Sequence, residues 1–367
     1  MKIPLVDLKS QYKGIKDEVL TAINSVLDSQ KFVMGDYEEE FSREFCEIHG
    51  ARYGVGCSNG TSAITVALRS LGIKPGDEVI TPVNSFFATP EAIVEVGALP
   101  VFVDCYADTY SMNVEQLKEK ITPKTKAIIP VHLYGNPADM MEITAVAKGN
   151  NLLIIEDCAQ AHLASINDKS VGTFGEFGTF SFYPGKNLGA YGDAGEVISE
   201  NKKLIELATM HINHGRIKKY EHDFCAGNFR MDGMQAAILS VKLKYINKWT
   251  DARIAIAAEY DKAFKSKGFK CIEVKDNYKC VYHLYTIEVS NRDEVMSYLE
   301  EAGISSGVHY PIPLHLQPAL RHLGYNKGDF PVTESSASRM ISLPIFPELS
   351  QEQQQRVIEE FLKIAKV

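Results

Sequence analysis

The sequence predicts an α/β protein whose central sheet is mostly parallel. Between about residues 51 and 200, short apolar runs bounded by turn residues alternate with stretches of helical periodicity. The predicted buried strands are DEVITPV, LPVFVDC, AIIPVHL and LLIIEDC, and the predicted helices between them are SAITVALRSLG, TPEAIVEVG and DMMEITAVAKGN. Strands that alternate with helices in this way form a parallel sheet with helices on both faces.

The length of the chain and the order of its helical and strand-like runs predict a second, smaller domain. A chain of 367 residues is long enough for roughly two domains. One long helical pattern covers residues 231–268, and the strand-like run YHLYTIEVS and the helical runs RDEVMSYLEEAGI and SQEQQQRVIEEFLKIAKV follow it. We therefore predict a large domain over residues 1–245 and a small C-terminal α/β domain over residues 246–367, bridged by the long helix.

Charge and apolar patterning exclude several classes of partner. The net charge of −8 argues against nucleic acid and against an anionic membrane surface, because both require a basic face. The N-terminal stretch has no apolar signal core and no run of 18 apolar residues occurs, which predicts a cytoplasmic protein. The seven cysteines are scattered without a CxxC pair, so we expect reduced thiols and no metal site.

Polar residues follow the predicted strands, where ligands bind in an open parallel sheet. Gly60 and Thr61 open an amphipathic helix whose free N–H groups can bind an anion, although an ordinary helix cap is the alternative. Phe86 follows the next strand and either stacks on a flat ligand or packs in the core.

Two more loops carry charged candidates. Asp157 ends a strongly apolar strand, where a carboxylate is costly unless it meets a positive partner; a helix cap is the alternative. Gln160 follows within a turn. In SFYPGKNLGAYGDAG, Lys186 comes shortly after the strand that carries Ser181. Most lysines are solvated, but a partly desolvated lysine has a lowered pKa and can form a Schiff base.

Together these residues match the requirements of pyridoxal phosphate (PLP). PLP needs a lysine for its aldehyde, a carboxylate for its pyridinium nitrogen and an anion cradle for its phosphate. Lys186, Asp157 and the helix start at Gly60 supply these three functions. The sequence therefore predicts a PLP-dependent enzyme in which Lys186, once displaced from the cofactor, moves a proton.

Four ordered motifs resemble those of a known enzyme family. EDCAQAH, SFYPGKNLGAYGDAG, GNFRMDGMQAAIL and HYPIPLHLQPAL are similar to motifs of the DegT/StrS-type PLP-dependent sugar-nucleotide aminotransferases. The likeness runs from IPLVDLKSQY to SLPIFPEL, nearly the whole chain. It implies fold-type I, the fold of aspartate aminotransferase.

The resemblance also implies roles for individual residues. Lys186 matches the lysine that binds the cofactor aldehyde, Asp157 the pyridinium partner, Gln160 the residue beside the ring hydroxyl and Phe86 the stacking aromatic. The matches to the phosphate binders are Gly60, Thr61, Ser181 and Asn228. Asn228 corresponds to a residue that reaches the neighbouring subunit, which implies a homodimer with shared active sites. The implied substrate-binding residues are Tyr183, His214, Arg216, His309, Tyr310 and His315.

The AQAH run and the segment HYPIPLHLQ are most similar to enzymes that aminate C3 of a dTDP-3-keto-6-deoxyhexose with L-glutamate as donor. Such products feed lipopolysaccharide, S-layer or antibiotic sugars. Two alternatives stay open: amination at C4 of a UDP-, dTDP- or GDP-linked 4-keto sugar, and a PLP-binding regulator without transaminase activity. A DNA-binding regulator of this kind would need a basic extension, whereas this chain is acidic.

Two positions refine the resemblance. The family usually has glycine where Leu163 stands, and the added bulk is expected near the cofactor. Related dehydratases carry histidine in place of Lys186, so the lysine favours transamination.

Overall fold

The computed structural model describes residues 2–367. The strands are β1 (Tyr53–Cys57), β2 (Glu78–Pro82), β3 (Leu99–Val103), β4 (Thr125–Ile128), β5 (Leu153–Asp157), β6 (Ser165–Ile166), β7 (Lys169–Ser170), β8 (Phe177–Ser181), β9 (Gly195–Ser199), β10 (Tyr278–Lys279), β11 (Tyr285–Glu288) and β12 (Met340–Leu343). The α-helices are α1 (Leu8–Ser29), α2 (Asp36–His49), α3 (Gly60–Ser70), α4 (Ala88–Glu95), α5 (Val114–Lys120), α6 (Met140–Asn150), α7 (Lys202–Ile212), α8 (Gly233–Leu243), α9 (Ile246–Lys265), α10 (Arg292–Glu301), α11 (Pro331–Arg339) and α12 (Gln351–Ile364).

The central sheet confirms the prediction of a mostly parallel α/β fold. Within residues 2–367 its strand order is β1-β9-β8-β5-β4-β2-β3, and β9 pairs antiparallel with both of its neighbours. The pairings from β8 to β3 are parallel. The four predicted apolar runs correspond to β2, β3, β4 and β5. The carboxyl ends of β1, β2, β4, β5 and β8 therefore meet at one edge of the sheet.

Side chains alternate between the two faces of the sheet along each strand, and β5 shows which residues lie on which face. In β5, Ile155 packs in the core cluster that includes α3, whereas Ile154 packs in the cluster that includes α5 and α6. Successive side chains of a strand point to opposite faces. Asp157 thus lies on the α3 face and Glu156 on the opposite face.

The C-terminal part has a hydrophobic cluster of its own. It joins α9, α10 and α12 to the antiparallel pair β11–β12, with Tyr260, Phe264 and Phe361 fully buried. Ile3 packs in the same cluster and bridges to Ile304. The domain boundary at residue 246 stays a prediction.

The prediction of one continuous helix over residues 231–268 is wrong, because the structure has two helices there, α8 and α9. The helical run is interrupted between α8 and α9, where the Tyr245 N–H donates to the Lys242 carbonyl at 3.0 Å, three residues back. Lys242 is buried, and its ammonium donates to the Gly189 carbonyl, which fixes α8 against that loop. Helix α9 instead packs Tyr260 and Phe264 into the C-terminal cluster, so the break lets each helix follow its own packing surface.

Within residues 2–367 no helix combines the length and the apolar character that a membrane span requires.

Candidate active site

Asp157 ends β5 and is only 5% exposed. Its Oδ2 accepts a hydrogen bond from the Thr89 hydroxyl at 2.8 Å, and its Oδ1 accepts one from the Ala159 N–H at 3.1 Å. Burial raises the pKa of the carboxyl, and these hydrogen bonds offset only part of the effect. A buried carboxylate held in this way is ready to meet a cationic group.

Lys186 lies in the turn after β8. The backbone N–H of Lys186 donates to the Tyr183 carbonyl at 2.8 Å. The loop closes tightly, because a Cβ at Gly189 would overlap the Pro184 carbonyl. Burial lowers the pKa of the Lys186 amine to about 8, although the Asp157 carboxylate acts in the opposite direction. An amine with this pKa is partly neutral, and therefore nucleophilic, near neutral pH.

The N-terminus of α3 forms a cradle with the end of β8. Asn59 caps the helix by accepting the Ser62 N–H at 2.8 Å, so the expected cap role falls to Asn59. The N–H groups of Gly60 and Thr61 lie in the first turn, where they have no partner within the helix. A Cβ at Gly60 would lie 2.7 Å from the Ser181 Cβ, so only glycine keeps this space open.

Gln160, Phe86 and Tyr310 come together at the same edge. Gln160 is 5% exposed, and its Nε2 donates to the Tyr310 hydroxyl at 3.2 Å. The ring centroids of Phe86 and Tyr310 are 5.4 Å apart, and Phe86 is 54% exposed, so its ring is open to a ligand rather than packed in the core.

His309 shares the environment of Lys186. Its Nδ1 makes a 2.8 Å hydrogen bond with the Ser342 hydroxyl. Burial and the nearby Lys186 charge lower the pKa of His309 to about 4. This imidazole is neutral at physiological pH.

The remaining predicted substrate residues differ in their surroundings. Tyr183 is 61% exposed, and His315 is buried against Phe330 with its Nε2 3.0 Å from Glu334 Oε1. In the part of the chain that the structure describes, the hydrogen bonds and the β-bridge of three residues stay within residues 213–228; these residues are His214, Arg216 and Asn228. None of these hydrogen bonds joins the three residues to Lys186.

Leu163 has a backbone conformation that favours glycine. Its φ is 66°, in the left-handed region that a branched side chain rarely adopts. Its N–H donates to His49 Nε2 at 3.3 Å, and its side chain is buried. The bulk expected near the cofactor packs in the core cluster that contains Phe45 and Phe180.

A buried cluster of potential metal ligands lies on the opposite face of β5. The donor atoms of His132, Glu156 and Cys158 lie within 4.8 Å of one another. His132 Nδ1 accepts the Ala138 N–H at 3.0 Å, so its Nε2 carries the proton and donates to Glu156 at 3.2 Å. Both imidazole nitrogens of His132 are therefore engaged in hydrogen bonds within the protein.

Sequence reasoning missed two residues of the site. Thr89 bonds Asp157 from 68 positions away, and the Tyr134 N–H donates to Gln160 Oε1 at 2.7 Å. Neither has a local motif. A signal for Tyr134 was its position directly after a predicted strand, at the ligand-binding edge.

These residues fit PLP, and the class of protein they define is a PLP-dependent enzyme. The partly neutral amine of Lys186 suits the PLP aldehyde, the buried carboxylate of Asp157 suits a pyridinium nitrogen, and the space kept open by Gly60 suits the phosphate. When bound, PLP supplies the carbonyl group and the electron-accepting ring that amino-group transfer requires.

Residues 13–362 match the model of the DegT/DnrJ/EryC1/StrS aminotransferase family. The chain belongs to this family and is a PLP-dependent aminotransferase.

Three curated relatives align with nearly the whole chain. A "pleiotropic regulatory protein" from Geobacillus stearothermophilus is 44% identical over 98% of both chains. A UDP-N-acetyl-3-dehydro-alpha-D-glucosamine 3-aminotransferase from Acidithiobacillus ferrooxidans is 43% identical, covering 97% of this chain and 96% of the relative. A dTDP-3-amino-3,6-dideoxy-alpha-D-galactopyranose transaminase from Aneurinibacillus thermoaerophilus is 42% identical, covering 97% and 98%.

A solved structure shows the same fold. The crystal structure of DesV from S. venezuelae, in complex with a ketimine intermediate, superposes with a TM-score of 0.97 at 39% identity. The match covers 99% of this chain and 98% of DesV.

Proposed function

We propose that this enzyme transfers an amino group from L-glutamate to C3 of a nucleotide-linked keto-deoxysugar, most favourably a dTDP-3-keto-6-deoxyhexose. The observation that carries the proposal is shared by two relatives: their names specify different nucleotides, UDP and dTDP, but the same sugar carbon, C3. The AQAH and HYPIPLHLQ segments favour the dTDP-linked substrate.

In this proposal Lys186 and Asp157 are the catalytic pair. The Lys186 amine, with its pKa of about 8, takes up and returns the proton that moves during amino transfer. Asp157 holds a proton on the cofactor ring nitrogen, since its carboxylate is buried and only partly satisfied by Thr89 and Ala159. Gly60, Thr61 and Ser181 hold the phosphate, Phe86 covers the ring, and Gln160 lies at the ring hydroxyl.

The substrate contacts divide into two groups. His309 and Tyr310 approach from the chain's own C-terminal part, and burial raises the pKa of the Tyr310 hydroxyl, which therefore stays protonated as a hydrogen-bond donor. Tyr183, His214, Arg216 and His315 complete the proposed set.

The exposed Asn228 reaches the site of a second subunit in this proposal. Its segment also carries the exposed Ile217 and Tyr220, 75% and 85% exposed, which a partner would cover. A homodimer in solution, with Asn228→Ala weakening PLP binding, is the expected result; a fully active monomer would contradict it. The cytoplasmic location stays a prediction.

The direct test is a side-by-side assay with L-glutamate and four acceptors: dTDP- and UDP-linked sugars, each with the keto group at C3 or at C4. Chromatography with mass detection measures the amino-sugar product. The proposal expects the highest kcat/KM with the dTDP-linked 3-keto sugar, and faster turnover of either 4-keto sugar would refute amination at C3.

The same assay tests two alternative functions. The 43% identity to a UDP-sugar 3-aminotransferase favours the UDP-linked 3-keto sugar as second candidate. The 44% identity to a protein named as a regulator makes a regulatory role the other candidate, and PLP binding without turnover of any keto sugar would support it.

A further inference from the structure

Tyr134 is a buried tyrosine whose side chain has no role in the function proposed above. It lies in the short 3₁₀ turn Leu133–Gly135 after β4, is 1% exposed and has a φ of 61°. The segment before it is fixed to β5, since the Asp157 N–H donates to the Pro130 carbonyl at 2.9 Å and the His132 N–H donates to the Asp157 carbonyl at 3.1 Å. Tyr134 is thus anchored to the strand that carries Asp157.

Three hydrogen bonds place Tyr134 in a closed ring of contacts. Its N–H donates to Gln160 Oε1 at 2.7 Å, and Gln160 Nε2 donates to the Tyr310 hydroxyl at 3.2 Å. The Tyr134 hydroxyl donates to the His309 carbonyl at 2.6 Å. Because His309 and Tyr310 are joined by a peptide bond, the ring closes on itself.

The direction of each hydrogen bond follows from chemistry. A backbone N–H only donates, so the atom of Gln160 facing Tyr134 is the amide oxygen, and its nitrogen must donate to Tyr310. The Tyr310 hydroxyl accepts that bond and keeps its own proton for another acceptor. A sugar oxygen or a keto group is such an acceptor.

We propose that Tyr134 is a positioning residue for the sugar acceptor. Its hydroxyl holds the His309–Tyr310 segment at a fixed distance from Gln160, so that the Tyr310 proton and the neutral His309 ring face the sugar. This inference rests on the proposed function, because it concerns the half-reaction that uses the keto sugar. The glutamate half-reaction does not depend on the Tyr134 hydroxyl, because none of the hydrogen bonds given above for Lys186 and Asp157 involves that hydroxyl.

Tyr134→Phe tests the inference, because it removes the hydroxyl and keeps the ring. We expect KM for the accepted keto sugar to rise about 3- to 10-fold, the effect of one lost hydrogen bond. The kcat value and the glutamate-driven change in the cofactor spectrum should stay within about twofold of wild type by the same argument. Steady-state kinetics and stopped-flow absorbance measure the two half-reactions separately.

Tyr260→Phe is the matched control. Tyr260 is fully buried, and its hydroxyl also donates to a backbone carbonyl, that of Pro344, at 2.9 Å. Both variants should lose similar stability, which thermal melts will show, but only Tyr134→Phe should change KM. Assays run below both melting temperatures.

A second variant keeps the test informative if Tyr134→Phe is unstable. Met340 Sδ lies 3.1 Å from the Tyr134 hydroxyl, and Met340→Leu preserves volume while removing the sulfur. It should raise KM in the same direction by a smaller factor.

An unchanged KM in the folded variants overturns the inference alone, as does an equal slowing of both half-reactions. A wild-type enzyme that accepts no keto sugar overturns the proposed function and this inference with it.

Discussion

Two adjacent carboxylates of β5 lie in opposite environments. Glu156 is fully buried and accepts three backbone N–H groups of the 172–175 segment at 2.6–2.9 Å, together with His132 Nε2. Asp157, on the other face, accepts only the Thr89 hydroxyl and the Ala159 N–H within the part of the chain described here. One carboxylate is saturated by its own protein, and the next retains capacity for a ligand.

Two lysines show the same contrast. Burial lowers the pKa of both Lys186 and Lys242 to about 8. The Lys242 ammonium donates to the Gly189 carbonyl and lies 4.8 Å from the Tyr191 ring centroid. Among residues 2–367 the Lys186 ammonium has no hydrogen-bond partner, so it is available to react. Burial alone therefore does not distinguish a structural group from a functional one, whereas unused bonding capacity does.

The largest effect that tests the difference between Lys186 and Lys242 is expected from Lys186→Ala. Loss of the group that moves the proton should lower kcat by about 100- to 10,000-fold. Melting of the PLP-free protein should be unchanged, because the Lys186 ammonium makes no hydrogen bond in the part of the chain that the structure describes, whereas bound PLP would itself stabilise the wild type. Lys242→Met should behave in the opposite way and destabilise the fold by about 1–3 kcal/mol, since it leaves the Gly189 carbonyl unpaired, while keeping turnover where it is folded. Equal loss of melting temperature in both variants would remove the distinction.

The carboxylate pair gives the second prediction. Asp157→Asn preserves shape but removes the charge that keeps the ring nitrogen protonated, so turnover should fall about 100-fold or more. Glu156→Gln places amide hydrogens against N–H donors and should lower the free energy of unfolding by about 1–3 kcal/mol for each lost bond. Denaturant titration and kcat should be measured on both variants. Asp157→Asn should lose turnover but keep its stability, whereas Glu156→Gln should lose stability but keep its turnover. A slow but stable Glu156→Gln enzyme would show that Glu156 acts in the chemistry.

Gly60→Ala should weaken the anion cradle. Its Cβ would lie 2.7 Å from the Ser181 Cβ, and overpacking of this kind costs about 1–3 kcal/mol. We expect PLP affinity to fall about 5- to 150-fold, measured by titration of the apoenzyme. Gly149→Ala is the control, because no atom lies within 4 Å of a Cβ at that position in α6. Its affinity for PLP should match wild type, and tight binding by both variants would refute the cradle.

The last prediction, which needs no substitution, is the pH dependence of PLP uptake. The protonated Lys186 amine cannot attack an aldehyde, so uptake should speed up as pH rises through the pKa of about 8. Below that midpoint the rate should fall about tenfold per pH unit as the neutral fraction decreases. Stopped-flow absorbance between pH 6 and pH 10 measures this profile, and a midpoint at the ordinary lysine value would mean that Lys186 is solvated.

Much of the fold and of the site could be predicted because both depend on local patterns. Apolar runs predicted β2 to β5, and residues at or shortly after the ends of parallel strands, such as Asp157 and Lys186, are expected at one edge of the sheet. Long-range contacts were beyond sequence reasoning: Thr89 meets Asp157, and Tyr134 reaches His309, only once the chain has folded. The break before α9 was missed because helical periodicity continues through it, while the contact between Lys242 and Gly189 is tertiary.

The most direct test of the central claim, that Lys186 and Asp157 hold PLP for amino transfer, is a visible absorption spectrum before and after L-glutamate. The protein, incubated with PLP and freed of excess, should be yellow, and L-glutamate should bleach the band. The Lys186→Ala variant should lack this bleaching at a comparable rate. A wild-type protein that stays colourless after PLP is added, or that keeps its band in glutamate, would contradict the claim.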